Sequence, residues 1–114
     1  MIHNYTSWSK LNEDFKTKLT QSQIDWCDKH IMGTWSVDNK GHVTVPLNVE
    51  FKDKNFTRFE VQFADIKGNF YCYDCPNLES LQGAPSSVGR NFSCHGCPNL
   101  ESLEGAPSSV GGDF

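Results

Sequence analysis

Apolar residues in the first part of the chain recur at helical intervals. Tyr5, Trp8, Leu11, Phe15 and Leu19 fall three or four positions apart, which predicts an amphipathic helix over about residues 5–18. Thr20 followed by Gln23 is a capping-box pair: the hydroxyl takes an orphan amide and the carboxamide reaches back. A second helix is therefore expected from about Gln21 to Ile31, with Ile24, Cys27 and Ile31 as its apolar stripe and Gly33 as its stop. The period then changes. Trp35-Ser36-Val37 and His42-Val43-Thr44-Val45 alternate like short strands around the turn Asp38-Asn39-Lys40-Gly41, and Pro46 closes the segment.

From Asn69 the chain writes nearly the same segment twice. Asn69–Arg90 is NFYCYDCPNLESLQGAPSSVGR and Asn91–Gly112 is NFSCHGCPNLESLEGAPSSVGG, a period of 22 residues. A more distant copy, Leu47–Gly68, precedes them. There Phe56 and Phe59 replace Leu78 and Leu81, Ile66 replaces Val88, and Asn55 aligns with Asn77. Its strand is one residue shorter, so Val49 and Phe51 match Phe70 and Cys72. A repeat of this length is the signature of stacked units, and three are about the minimum for stability. Within a unit, Phe70 and Cys72 are expected inward on a short strand, Cys75 at the turn, Leu78, Leu81 and Val88 in the core, and Gly83-Ala84-Pro85 in a turn. Gly89 is expected to permit the bend into the next strand. Stacking would pair the strands in parallel about 4.8 Å apart, with Phe70 on Phe92, Cys72 on Cys94, Leu78 on Leu100 and Val88 on Val110. The expected fold is α+β: a short, right-handed, leucine-rich-repeat-like parallel β-solenoid. Residues 1–46 form its helical and hairpin N-terminal cap, and the coils are 47–68, 69–90 and 91–112. Phe114 matches Phe70 and Phe92, so a fourth strand begins there, and a longer natural chain, a partner or a second copy is expected to cover it.

Phe-x-Cys-x-x-Cys-x-x-Leu resembles the strand-and-turn core of leucine-rich repeats, with Cys75 and Cys97 at that family's inward Asn/Cys position. More narrowly, LESLEGAPSSVGGDF is similar to the SLEGAP-x-x-VGG-x-F repeats common in tailed-bacteriophage genomes. Those proteins often carry a helical leader ending in a segment like Gly33-Thr34-Trp35-Ser36-Val37. The resemblance covers about residues 20–114 and is strongest from Asn69 onward. The departure is Cys-Pro-Asn-Leu where many such repeats have an asparagine-rich turn. The resemblance implies a fold and a phage origin but no catalytic residue, and fold alone does not fix function.

Charge narrows the partners. The net charge is −4 over 114 residues. Residues 1–46 carry five basic and five acidic groups, whereas residues 47–114 carry five and nine. The repeat region is thus acidic, which argues against a nucleic-acid partner. No apolar run approaches the roughly 18–20 residues of a membrane span, and MIHNYTSWSK lacks a signal-peptide core. A cytoplasmic protein with reduced cysteines is expected, in the host bacterium if phage-encoded.

Cys72, Cys75, Cys94 and Cys97 have the C-x2-C-x18-C-x2-C spacing of a four-thiolate zinc site. The repeat supplies a simpler reading, in which each cysteine is a small buried hydrophobe at a repeated core position. A disulfide between laddered cysteines is a further alternative. No cofactor is therefore expected, with zinc as the alternative. Cys27 with His30 three residues on has the spacing of a nucleophile and base, against the plainer reading of a core cysteine. His3, His42 and His95 lack ligand spacing. Gly111-Gly112-Asp113-Phe114 lacks the second acid of the dinucleotide-cyclase signature.

The two near-identical copies differ at 71/93, 73/95, 74/96, 82/104 and 90/112. Packing fixes the inside and leaves the strand surface free to vary. Tyr71, Tyr73, Asp74, Ser93 and His95 are thus the candidate partner-binding residues. The expected function is a non-enzymatic protein-binding module, with the phage resemblance implying an accessory protein that binds and inhibits a host or defence protein. The alternatives are a self-associating or virion-associated repeat protein, assembled through the C-terminal coil, and a zinc-stabilised module.

Overall fold

The structure is a computed structural model and describes residues 16–114. The helix expected over residues 5–18 falls almost wholly outside them. The described chain opens on helix α1 (Gln21–His30). Its start is the capping box: the Gln23 amide donates to Thr20 Oγ1 at 3.1 Å, and the Thr20 amide donates to Gln23 Oε1 at 2.8 Å. Lys29 and His30 lie in the last turn, and the Lys29 ammonium suits the exposed carbonyls there. Gly33 follows at φ +85°. The buried stripe differs from the expected one: Trp26, Cys27 and Ile31 are buried, and Ile24 is half-buried. Trp26 reaches the rings of Phe51, Phe56, Phe59 and Phe63 at centroid distances of 5.2–6.4 Å. Such a surface outweighs the periodicity of the smaller side chains.

Strands β1 (Ser36–Val37) and β2 (Val43–Thr44) pair antiparallel. The Asp38 carboxylate fixes their turn by accepting from the amides of Lys40 and His42 at 3.0 and 2.9 Å. The Val43 amide donates to Gln62 O and the Val43 carbonyl accepts from Ala64, which docks the hairpin on the following segment.

Strands β3 (Val49–Lys52), β4 (Phe70–Tyr73) and β6 (Phe92–Ser93) form a parallel sheet in the order β3-β4-β6. Strands β5 (Ser87–Val88) and β7 (Ser109–Val110) form a second parallel pair. Pairing follows the sequence period: Val49 lies against Phe70, Phe51 against Cys72, Phe70 against Phe92 and Val88 against Val110. A row of asparagines supports it. Asn48 Oδ1 accepts from the Asn69 amide, Asn69 Oδ1 from the Asn91 amide, and Asn91 Oδ1 from the Asp113 amide, at 2.8, 2.9 and 2.8 Å.

The expectation of a leucine-rich-repeat solenoid is corrected here. The described residues form a small α+β structure with one helix and short strands divided among three separate small sheets, one of them antiparallel. The ends of β3 and β4 have a local cause. β3 and β4 each stop before an aspartate in the left-handed region, Asp53 at φ 57° and Asp74 at φ 53°. A residue there turns the backbone out of the strand direction, and Asp tolerates it better than most. Between β3 and β4 the chain runs without further strand, touching its neighbours through single bridges such as Ile66 to Val88.

The core is continuous from α1 to β6. Phe70, Cys72, Cys75, Leu78, Leu81 and Val88 are buried, as their inward assignment requires. The last unit is more open. Cys94, Cys97, Leu100 and Val110 are only partly buried, and Leu103 is 57% exposed although its counterpart Leu81 is fully buried. Gly89 serves close approach rather than a bend, since a Cβ there would collide with the Lys67 carbonyl oxygen. Gly83, at φ +97°, is the left-handed turn residue.

Candidate interaction face

Strand alternation sends Phe70 and Cys72 inward and leaves Tyr71 and Tyr73 half-buried on the opposite face of the sheet. Register then builds a row across three strands, with Glu50, Tyr71 and Ser93 side by side. Lys52 and Tyr73 form the next row. The Tyr71 and Tyr73 rings stack at 5.0 Å with an interplanar angle of 24°. Asn91 Nδ2 donates to Tyr71 Oη at 3.4 Å, which links the face to the asparagine row. Asp74 and His95 are exposed at the end of the face, tied by the Asp74 amide donating to His95 O at 2.9 Å. The structure thus gathers Tyr71, Tyr73 and Ser93 on one sheet surface with Asp74 and His95 at its margin. Glu50 and Lys52 complete that surface. The sequence reading passed over them because the first unit is too divergent to show which of its positions vary. Partial burial, then Tyr71 and Glu50, push the Tyr73 phenol above its ordinary value. It is therefore a neutral hydroxyl at physiological pH, able to donate and accept.

The four repeat cysteines come together behind this face as thiols. Cys75 Sγ donates to Tyr73 O at 3.4 Å, and Cys97 Sγ lies 3.5 Å from Cys72 O. Burial pushes Cys72, Cys75 and Cys94 up, and neighbouring thiols add to the shift. A thiol held this way is a poor nucleophile. Among the described residues, no group of three or more His, Cys, Asp or Glu side chains is placed to hold a metal ion. Cys27 is fully buried and its thiol is pushed up to about 12 by burial and by Asp28. The His30 ring packs on Trp26 and Phe56 at 5.1 and 5.0 Å, and burial lowers its pKa. It serves the aromatic core. Among the described residues no helix is long and apolar enough to cross a membrane.

Comparisons of the chain with known protein families, with curated proteins and with solved structures give no match. The surface chemistry therefore carries the functional reading. It combines two stacked phenols with an acid and a base on β3 on one sheet surface, and an exposed imidazole and an exposed carboxylate at its margin. This arrangement suits contact with another macromolecule, where aromatic side chains give large area at small conformational cost.

Proposed function

We propose that this chain is a non-enzymatic protein-binding module whose contact surface is the outer face of the three-stranded sheet, with Tyr71, Tyr73, Asp74, Ser93 and His95 as the contacting residues. The stacked Tyr71–Tyr73 pair is the observation that supports it most directly. Tyrosines held in one geometry before contact lose little freedom on binding, which favours affinity. The five residues also lie where the two near-identical repeats differ, so the surface varies over a fixed interior. The resemblance to phage repeat sequences extends the proposal: the chain is a phage accessory protein acting in the cytoplasm of an infected bacterium, where it binds and inhibits a host or defence protein.

Affinity capture with the full chain from bacterial lysate, followed by mass spectrometry, tests the reading. The expected result is a specific protein recovered by the native chain and lost with the Tyr71→Ala/Tyr73→Ala pair. A partner held equally well by that double variant refutes the sheet face as the contact surface.

A second reading is self-association through the C-terminal unit, favoured by the exposure of Leu103 (57%) and Phe114 (62%). A monomer by light scattering at high protein concentration rejects it.

A further inference from the structure

The three-stranded sheet ends at β3, whose outer edge has no partner strand among the described residues. The ladder fixes which main-chain groups are free. The Val49 amide donates to Asn69 O at 2.9 Å and the Asp53 amide to Tyr73 O at 3.1 Å, so the odd-numbered residues of this stretch turn their polar groups toward β4. By alternation, the amides and carbonyls of Glu50 and Lys52 point the other way. They point toward a groove of about 430 Å3, lined by Ile31, Met32, Val49, Glu50, Lys52 and Lys54 among others. Met32 stands 86% exposed on its wall, an unusual setting for a large apolar side chain. Two lysines against one glutamate make the groove locally positive in a chain of net charge −4.

A strand edge unpaired among the described residues, an apolar wall and a basic rim together describe a strand-addition site. We propose that the β3 edge binds an extended, acidic peptide segment of a partner protein as an added strand. Its main chain pairs with Glu50 and Lys52. Its inward side chains are apolar and pack on Ile31 and Met32, and an alternate carboxylate lies beside Lys52 and Lys54. The charge at the rim selects this occupant over a basic or neutral segment. The proposal goes beyond the sheet-face reading and does not depend on it, because the face offers side chains and the edge offers main chain.

The test uses the full chain and a fluorescent, end-blocked octapeptide of alternating Val and Asp, followed by anisotropy. The expected result is saturable binding with Kd below about 1 mM, weakened at least tenfold for a Val/Lys version and for a version N-methylated at alternate residues on the pairing side. Lys52→Pro removes the outward amide and is expected to weaken binding about tenfold. Met32→Asp, at an exposed position that leaves folding intact, gives the same loss should Lys52→Pro misfold. The Tyr71→Ala/Tyr73→Ala pair leaves peptide binding unchanged, which separates this site from the sheet face. No saturable binding of the acidic peptide, or equal binding of its N-methylated form, overturns the proposal. It is equally overturned by a dimer that Met32→Asp dissolves, which assigns the groove to a second copy. Tighter binding of a free peptide of residues 1–15 assigns it to the chain's own segment, with the same consequence.

Discussion

Leu81 and Leu103 occupy the same place in SLQGAP and SLEGAP, yet Leu81 is fully buried and Leu103 is 57% exposed. Truncating each to alanine separates what a residue is from where it sits. Leu→Ala removes the equivalent of about three methylenes, so at about 0.8 kcal/mol each the transfer loss at Leu81 is about 2.4 kcal/mol. The void left inside a packed core adds to this, for an expected total of about 3 kcal/mol. At Leu103 less than half the side chain is removed from water and no enclosed void forms, so the expected cost is about 1 kcal/mol. Urea unfolding at 25 °C, followed by tryptophan fluorescence, should show the larger shift in midpoint for Leu81→Ala at unchanged slope. In thermal melts, at about 4 °C per kcal/mol, the drops should be about 12 and 4 °C. Equal losses for the two variants would refute the reasoning. A Leu103→Ala loss that grew with protein concentration would show instead that a second copy covers the last unit.

Asn69→Ala leaves the Asn91 amide without its acceptor and should cost about 1 kcal/mol at this half-buried position, whereas Asn69→Asp keeps an acceptor oxygen and should recover most of it, as read by urea unfolding. Native-state alkylation with mass-spectrometric readout should modify Cys94 and Cys97 well before Cys27, Cys72 and Cys75, which are fully buried, with all five modified in denaturant. The His30 pKa is lowered in the fold by burial, then by Lys54 and Lys29, so below its ordinary value of 6.5 the unfolded chain takes up a proton that the folded chain does not. Stability should therefore fall as pH drops through that value and level off below the depressed pKa, and His30→Asn should remove this part of the slope between pH 7.5 and 5.5.

Much of the local structure was legible before any coordinates. The Thr20–Gln23 box starts α1 because its hydrogen bonds span only three residues. Inward and outward positions on β4 follow from strand alternation, which needs no knowledge of the partner strand. The register of Val49 on Phe70 and Phe70 on Phe92 follows from the repeat, because equivalent side chains fit equivalent sites. The candidate face was legible for the same reason, at the positions where two near-copies differ.

Other features were decided only by the tertiary structure. Trp26 displaced Ile24 from the buried stripe of α1 because Phe51, Phe56, Phe59 and Phe63, all from the segment after the β1-β2 hairpin, converge on it. The chain forms three small sheets in place of a leucine-rich-repeat solenoid, and the left-handed turns at Asp53 and Asp74 that end β3 and β4 are not announced by composition. Asn48, Asn69 and Asn91 became a row of acceptors only when their units lay side by side. The edge position of β3 among the described residues likewise depends on which strands pair. The sequence by itself determined period, parity and capping, because these rest on interactions within a few residues or between copies of one pattern. The fold decided burial, sheet division and edge exposure, because each depends on which atoms from distant parts of the chain arrive at the same place. Leu81 and Leu103 show it most plainly: nearly identical neighbours in sequence, opposite environments in space.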